Sequence, residues 1–205
     1  MMIGNNEWAS KIGCIIMASG LSRRYGRDKL LEMLEGREVI LRTAMSLKKA
    51  GFAPLTVTRS SAVAAVLEKE NFECVLHEGE KKSDTMHTGI LRLDEDVSGY
   101  LFMPGDQPLV RCETLIRMRE HFERYPGRPV RLGFGEEEGS PVIFPAAYRE
   151  DLLAYTGDRG GMEVLRRKQI DCDVVQAGYA WELWDVDTPE KMEQVRRQWR
   201  QRSAK

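Results

Sequence analysis

The sequence predicts an α/β fold built on a mainly parallel sheet with helices on both faces, and three observations carry that prediction. Apolar runs of strand length alternate with amphipathic runs of helix length along the chain, the pattern of linked strand–helix–strand units. The first apolar run, residues 12–18, is rich in β-branched residues and breaks at Ser19-Gly20 into a loop dense in Gly and positive charge. A later run, Tyr100-Leu-Phe-Met, has the uniform apolarity of a central parallel strand and delivers the rigid turn Pro104-Gly105-Asp106-Gln107-Pro108. Open sheets of this kind bind ligands at the C-terminal ends of their strands, where both loops fall.

The stretch 12–31 organises the rest. Gly20 and Gly26 allow positive φ or a close approach to a ligand, so several N–H groups can converge on phosphate oxygens, while Arg23, Arg24, Arg27 and Lys29 supply charge. A solvated basic turn would have the same composition. The loop is neither a Walker A motif, since Gly26 is followed by Arg27-Asp28, nor a Gly-x-Gly-x-x-Gly dinucleotide loop.

Residues 37–50 place Val39, Ile40, Thr43, Ala44 and Leu47 on one helical face, with Gly51 where a left-handed terminal residue belongs. A strand at 55–58, a helix capped by Ser60 or Ser61 and a strand at 72–76 follow. The polar loop 77–82 leads to a helix over 83–93 with Asp84 or Ser83 as its cap. Beyond Pro108, an amphipathic helix over 113–125 stops at Pro126-Gly127, and β segments at 130–134 and 141–144 flank an acidic excursion at 135–139. The loop 155–161 opens a helix through Lys168, and a short strand follows at 174–175. Thr188, Pro189 and Glu190 form a strong helix start, and the basic tail 196–205 is expected to fray.

Composition bounds the function. The 205 residues suit one domain over 1–205, with its core over 11–200, and there is no repeat or dividing linker. Hydrophobic residues at 42% and charged residues at 31% are ordinary globular values. A net charge of -1 gives no long-range pull on a polyanion, so no nucleic-acid partner is expected. No membrane partner is expected either: no run reaches the length of a spanning helix and the N-terminus lacks signal-peptide character, which predicts a cytoplasmic protein. Cys14, Cys74, Cys112 and Cys172 are widely spaced and read as reduced and structural. A carboxylate held rigid between Gly and Pro, as Asp106 is, suits a hard cation, although a turn Asp needs no such role.

Residues 17–29 resemble the pattern Leu-Ala-(Ala/Gly)-Gly-x-Ser-x-Arg-Met-Gly-x-x-Lys of the MobA-like nucleotidyltransferases that activate molybdopterin, with Ser19 and Tyr25 as departures. Thr85, Met86 and Gly89 match Ser, Leu and Gly of the family's Gly-x-x-Ser-Leu-x-x-Gly-Leu, and Gly105-Asp106-Gln107-Pro108 matches a hallmark of its cytidylyl branch. Residues 139–144 resemble Gly-x-Pro-Val-Leu-Phe, residues 157–162 resemble Gly-Asp-x-Gly-Ala-Arg with Met162 in place of Arg, and residues 185–190 resemble Asp-x-Asp-Thr-Pro-Glu.

The resemblance implies a Rossmann-like three-layer nucleotidyltransferase fold of the GT-A-like, nucleotide-diphospho-sugar transferase type. It implies transfer of a nucleoside monophosphate, CMP from CTP by preference, to the phosphate of a molybdopterin-type acceptor with release of pyrophosphate. Lys29, Arg24 and Asp106 would be catalytic, and Ala18, Ser19, Gly20, Ser22, Arg23, Gly26, Thr85 and Gly105 would hold the nucleotide. Asp106 and Asp187 would share Mg2+ or Mn2+. Arg159 would replace the charge missing at Met162, and the product implies transient contact with a molybdoenzyme or its chaperone. A phosphate monoester acceptor is already largely ionised near neutral pH, which fits the lack of a recognisable general base. The alternatives are a GTP-dependent guanylyltransferase, a sugar-phosphate nucleotidyltransferase, and a nucleotide-binding module that delivers cofactor without turnover.

Overall fold

A computed structural model describes residues 11–20, 25–94 and 96–203. The chain runs through β1 (Ile12–Ala18), a 3-10 turn (Lys29–Leu31), the small ribbon β2 (Met33–Leu34) and β3 (Arg37–Glu38), α1 (Val39–Lys49), β4 (Pro54–Thr58), α2 (Ser61–Lys69) and β5 (Glu73–Leu76). It continues through α3 (Lys82–Arg92), β6 (Gly99–Pro104), α4 (Cys112–Arg124), β7 (Val130–Phe134), β8 (Glu137–Pro145), a 3-10 turn (Ala146–Tyr148), α5 (Arg149–Ala154) and α6 (Met162–Lys168). Last come β9 (Asp173–Gln176), a 3-10 turn (Ala180–Leu183) and α7 (Pro189–Ser203).

Seven strands form one sheet in the order β5-β4-β1-β6-β8-β7-β9. Only β8 runs against its neighbours β6 and β7, so the sheet is mainly parallel. Successive side chains of a strand face opposite ways, and β1 shows the consequence: Cys14 and Ile16 enter one buried cluster with α1, α2, α4 and α7, and Ile15 enters the other with α3, α5 and α6. Both clusters are closed to water, which makes the architecture three-layered. Truncating Ile15 or Ile16 to Ala would cost roughly 2–5 kcal/mol. On the second face α3 lies so close to β1 that a Cβ at Gly89 would meet Ile15 Cγ2 at 2.7 Å, which fixes where the N-terminus of α3 can point.

Local differences from the sequence reading have local causes. Residues 37 and 38 pair with 33 and 34 instead of opening the helix, and α1 starts at Val39. The helix expected from 83 begins at Lys82, with Lys81 as cap and Asp84 reaching back to accept from the Lys81 N–H at 3.0 Å. The acidic excursion is a tight hairpin in which Phe134 pairs with Glu137 and Glu138 bonds Arg131 at 2.5 Å. The tail does not fray by residue 196: α7 extends to Ser203, because Trp199 packs on the core and Arg196 and Arg200 pair with Glu32 and Glu35. All four cysteines are free thiols. Among the described residues no helix is long and apolar enough to cross a membrane.

Candidate active site

The site grows from the adjacency of β1 and β6. Their parallel register sets Met17 beside Pro104, and the chain leaving β6 is tied back by Gly105 N–H donating to Met17 O at 3.1 Å. Gly105 eases that approach, since a Cβ there would lie 3.0 Å from Ile40 Cδ1 and 3.4 Å from Met17 O. Thr43 of α1 donates to Gly105 O at 3.1 Å and completes the anchorage. Asp106 therefore stands on a fixed turn. Its carbonyl accepts from Val186 N–H at 2.9 Å, which draws the segment before α7 alongside. Thr188 caps α7 by accepting from Lys191 N–H at 3.2 Å, as the sequence predicts. Asp187 follows the 3-10 turn Ala180–Leu183, whose apolar residues pack without joining the sheet.

Lys29 closes the arrangement. It sits in a 3-10 turn that Asp28 caps and buried Leu30 anchors, and its ammonium donates to Asp106 Oδ2 at 2.5 Å and to Asp187 Oδ1 at 2.8 Å. The three side chains are 12%, 18% and 34% exposed. Burial pulls the Lys29 pKa down, but the attraction of Asp106 and then of Asp187 outweighs it, and the net shift is upward.

Asp185 and Gln107 join the group, and the sequence reading gave neither a role. Gln107 is buried and its Nε2 donates to Asp185 Oδ1 at 2.7 Å. Desolvation by the protein beside it, then the negative charges of Asp106 and Asp187, push the Asp185 carboxyl up to about 6. Asp185 still keeps an exposed surface beside these two carboxylates. Its signal was present in the Asp-x-Asp segment. Among the described residues no cluster of three or more His, Cys, Asp or Glu is arranged to hold a metal. A cation here would take Asp106 and Asp187 and complete its shell with substrate oxygens and water, a donor set that suits magnesium or manganese. The position already attracts positive charge, because the Lys29 ammonium bridges both carboxylates.

The other half of the site joins the end of β1 to the N-terminal part of α3. Ala18 ends β1 and its carbonyl accepts from Thr58 Oγ1 at 2.8 Å. Ser19 Oγ donates to Val57 O at 3.3 Å and lies 2.6 Å from His77 Nε2, which is also 3.2 Å from Thr85 Oγ1. The Ser19 hydroxyl is thus engaged within the protein. If the hydroxyl proton lies on Val57 O, His77 Nε2–H is the donor to Ser19; His77 Nδ1 is buried with no partner among the described residues. Burial, then Arg59, lowers the His77 pKa, consistent with a neutral ring. Sequence reasoning missed His77, which lay in a loop of unremarkable polarity. Gly20 is exposed, with open space where a Cβ would stand, and Gly26 adopts φ +82°. Ser22, Arg23 and Arg24 lie outside the described residues.

The loop at 157–161 docks on the first turn of α3. Asp158 Oδ1 accepts from Lys82 N–H at 3.2 Å, and Gly157 and Ser83 exchange hydrogen bonds at 3.1 and 3.2 Å. Asp158 is therefore a helix cap supplied from another part of the chain. Arg159 lies 3.6 Å from Glu163 and stays largely exposed.

A mainly parallel sheet, a glycine- and arginine-bearing loop after its first strand, and a carboxylate on the turn after β6 paired through Lys29 with one from the segment before α7 fit a nucleotidyltransferase. Residues 14–172 match the MobA-like NTP transferase domain, and the chain belongs to that family. Over 112 residues it is 29% identical to a probable molybdenum cofactor guanylyltransferase of Aquifex aeolicus (strain VF5), a match spanning 54% of this chain and 53% of that protein. Over 197 residues it is 24% identical to the purine catabolism protein PucB of Bacillus subtilis (strain 168), covering 89% and 95% of the two chains. Among solved structures, Rv0371c from Mycobacterium tuberculosis H37Rv superposes with a TM-score of 0.80 at 22% identity, over 91% of this chain and 98% of that one. A nucleotidyl transferase from Methanothermobacter thermautotroptrophicus gives 0.79 at 22% identity, over 91% and 96%. A further structure of Rv0371c is a complex with manganese, with a TM-score of 0.76 at 21% identity over 91% and 98%.

Proposed function

We propose that the chain transfers a nucleoside monophosphate from a nucleoside triphosphate to a phosphorylated acceptor and releases pyrophosphate, with CTP as donor and a molybdopterin-type acceptor. The observation that carries the reading is the Lys29 ammonium set between Asp106 and Asp187 at the C-terminal ends of β1 and β6. An acceptor phosphate brings its own nucleophilic oxygen, so the protein has to position two anions and neutralise them. Lys29 has the charge to hold the α-phosphate once a divalent cation takes the carboxylates, and the loop after β1 has the glycines and arginines for the β- and γ-phosphates. When bound, the cation would polarise phosphate oxygens and offset charge on the departing pyrophosphate. Asp106 and Asp187 would hold it, and the manganese complex of Rv0371c, a protein of like fold, supports a divalent ion here. Ala18, Ser19, Gly20, Gly26, Thr85 and Gly105 would shape the nucleotide seat, with Ser22, Arg23 and Arg24 completing it.

The Aquifex relative favours a second reading, in which GTP is the donor. Pyrophosphate release measured with each of the four triphosphates, magnesium and a molybdopterin-type acceptor decides between them. A higher specificity constant for CTP supports the first reading and one for GTP the second. Release with none of the four, despite binding, would leave a delivery module in place of an enzyme.

A further inference from the structure

The face shared by α1, α7 and the first turn of α4 carries a cleft of about 930 Å³ in which neither Lys29 nor the two carboxylates take part. Small-molecule sites fall in this size range. Among its described lining residues Arg42, Lys49, Arg111 and Arg202 stand against a single carboxylate, Glu113, which pairs with Arg111 at 3.2 Å. Three of the four cations are held against rings. Arg202 and Arg42 lie over Trp199 at 3.9 and 4.6 Å, and Arg111 lies over Tyr179 at 5.5 Å. Tyr179 is in turn stacked on Trp181 at 4.8 Å.

A cation–π contact engages the charge and leaves hydrogen-bond donors for other partners. Each guanidinium has five donors; Arg202 gives one to Leu109 O, and Arg42 gives its Nε to Leu34 O and another donor to Glu35 O. Burial and the neighbouring Arg111 lower the Arg202 pKa, so positive charge is crowded there. An anion would relieve that crowding, and the described lining supplies only Glu113. We propose that this cleft is a second binding site, for a small polyanion of the phosphate class such as pyrophosphate or the phosphate tail of a nucleotide. Because the rings are committed to the protein's own cations and to each other, recognition falls on phosphate charge and not on a base.

The test is calorimetric titration of pyrophosphate, without divalent cation, into full-length Lys29→Ala, which lacks the ammonium of the carboxylate site. Binding is expected, and adding Lys49→Glu should weaken it roughly tenfold or more, because a like charge then faces the anion. Lys49 is exposed, so the reversal leaves the fold intact, and Arg111→Gln in the same background gives an independent loss. CTP and ATP should bind this site with equal affinity. Absence of binding to Lys29→Ala, indifference to both cleft substitutions, or capture of an oligo-glutamate peptide but not pyrophosphate would each overturn the assignment. The readout is binding in a chain already deprived of Lys29, so its failure leaves the transfer reaction standing.

Discussion

Replacing Lys29 by Met keeps the stem and removes the ammonium that bridges Asp106 and Asp187. Breaking a fully buried ion pair costs about 3–5 kcal/mol, and an exposed pair is worth roughly 0–1 kcal/mol. With 12%, 18% and 34% of the three side chains exposed, this site lies between those limits, and about 2 kcal/mol is the expected loss without metal. For a chain of this size that lowers Tm by about 4–8 °C. The folded Lys29 pKa is raised above 10.5, so its contribution is fully present at neutral pH and is lost only as pH climbs through the raised value. Manganese at a hundredfold excess over its Kd then adds about 2.7 kcal/mol, which restores the variant. Wild type should gain less, because the cation must first displace the ammonium. Differential scanning fluorimetry across a manganese titration measures both effects. A Lys29→Met chain that melts with wild type, or equal metal shifts in the two, would refute the reasoning. Pyrophosphate release by the variant should fall roughly a hundredfold or more.

Asp106→Ala and Asp187→Ala should each abolish pyrophosphate release and leave the circular dichroism spectrum unchanged; wild-type release from either would remove the metal assignment. Ser19→Ala should retain CTP over GTP while Ser19→Gly admits more GTP, a change within about 1–3 kcal/mol read from specificity constants. Gly105→Ala should cost about 1–3 kcal/mol by pressing on Ile40 and Met17, with activity falling as Asp106 shifts. Hydrogen bonds from Arg166 and then Arg167, with the charges of Arg166 and Arg159, hold the Glu163 carboxyl down to about 2. A depressed carboxylate stabilises above its unfolded value and loses that contribution as pH falls from about 4.5 towards 2, so Glu163→Gln should flatten acid unfolding in that window.

Legibility in the sequence followed the range over which the determining contacts act. The strands of the main sheet, α4 and the start of α7 were readable because periodicity, Pro126-Gly127 and Thr188-Pro189 act within a turn or two of the residues they organise. The turn carrying Asp106 was readable because an apolar strand that ends in Gly-Asp-Gln-Pro leaves little conformational choice. His77 and Asp185 were not, since their partners Ser19 and Gln107 are 58 and 78 positions away. The basic tail failed for the same reason. A run of arginines reads as a solvated face until Glu32, Glu35 and the α1 surface are seen beneath it. Tyr25, a departure from the family pattern, is buried beside Glu32, so the larger ring is absorbed by packing.

The hydrogen bond from Val186 to Asp106 has a consequence for how the protein is made. Lys29 lies 77 positions before Asp106 and 158 before Asp187. On the ribosome, the first two emerge and can neutralise each other as a one-to-one pair long before the third is synthesised. Only when α7 docks does a second carboxylate arrive, so on the proposed function a nascent chain would meet cation and nucleotide without a complete seat for either. The closing segment thereby delays the trio until α7 has been made and docked, and a cut between β9 and α7 would break it up while leaving the sheet its seven strands.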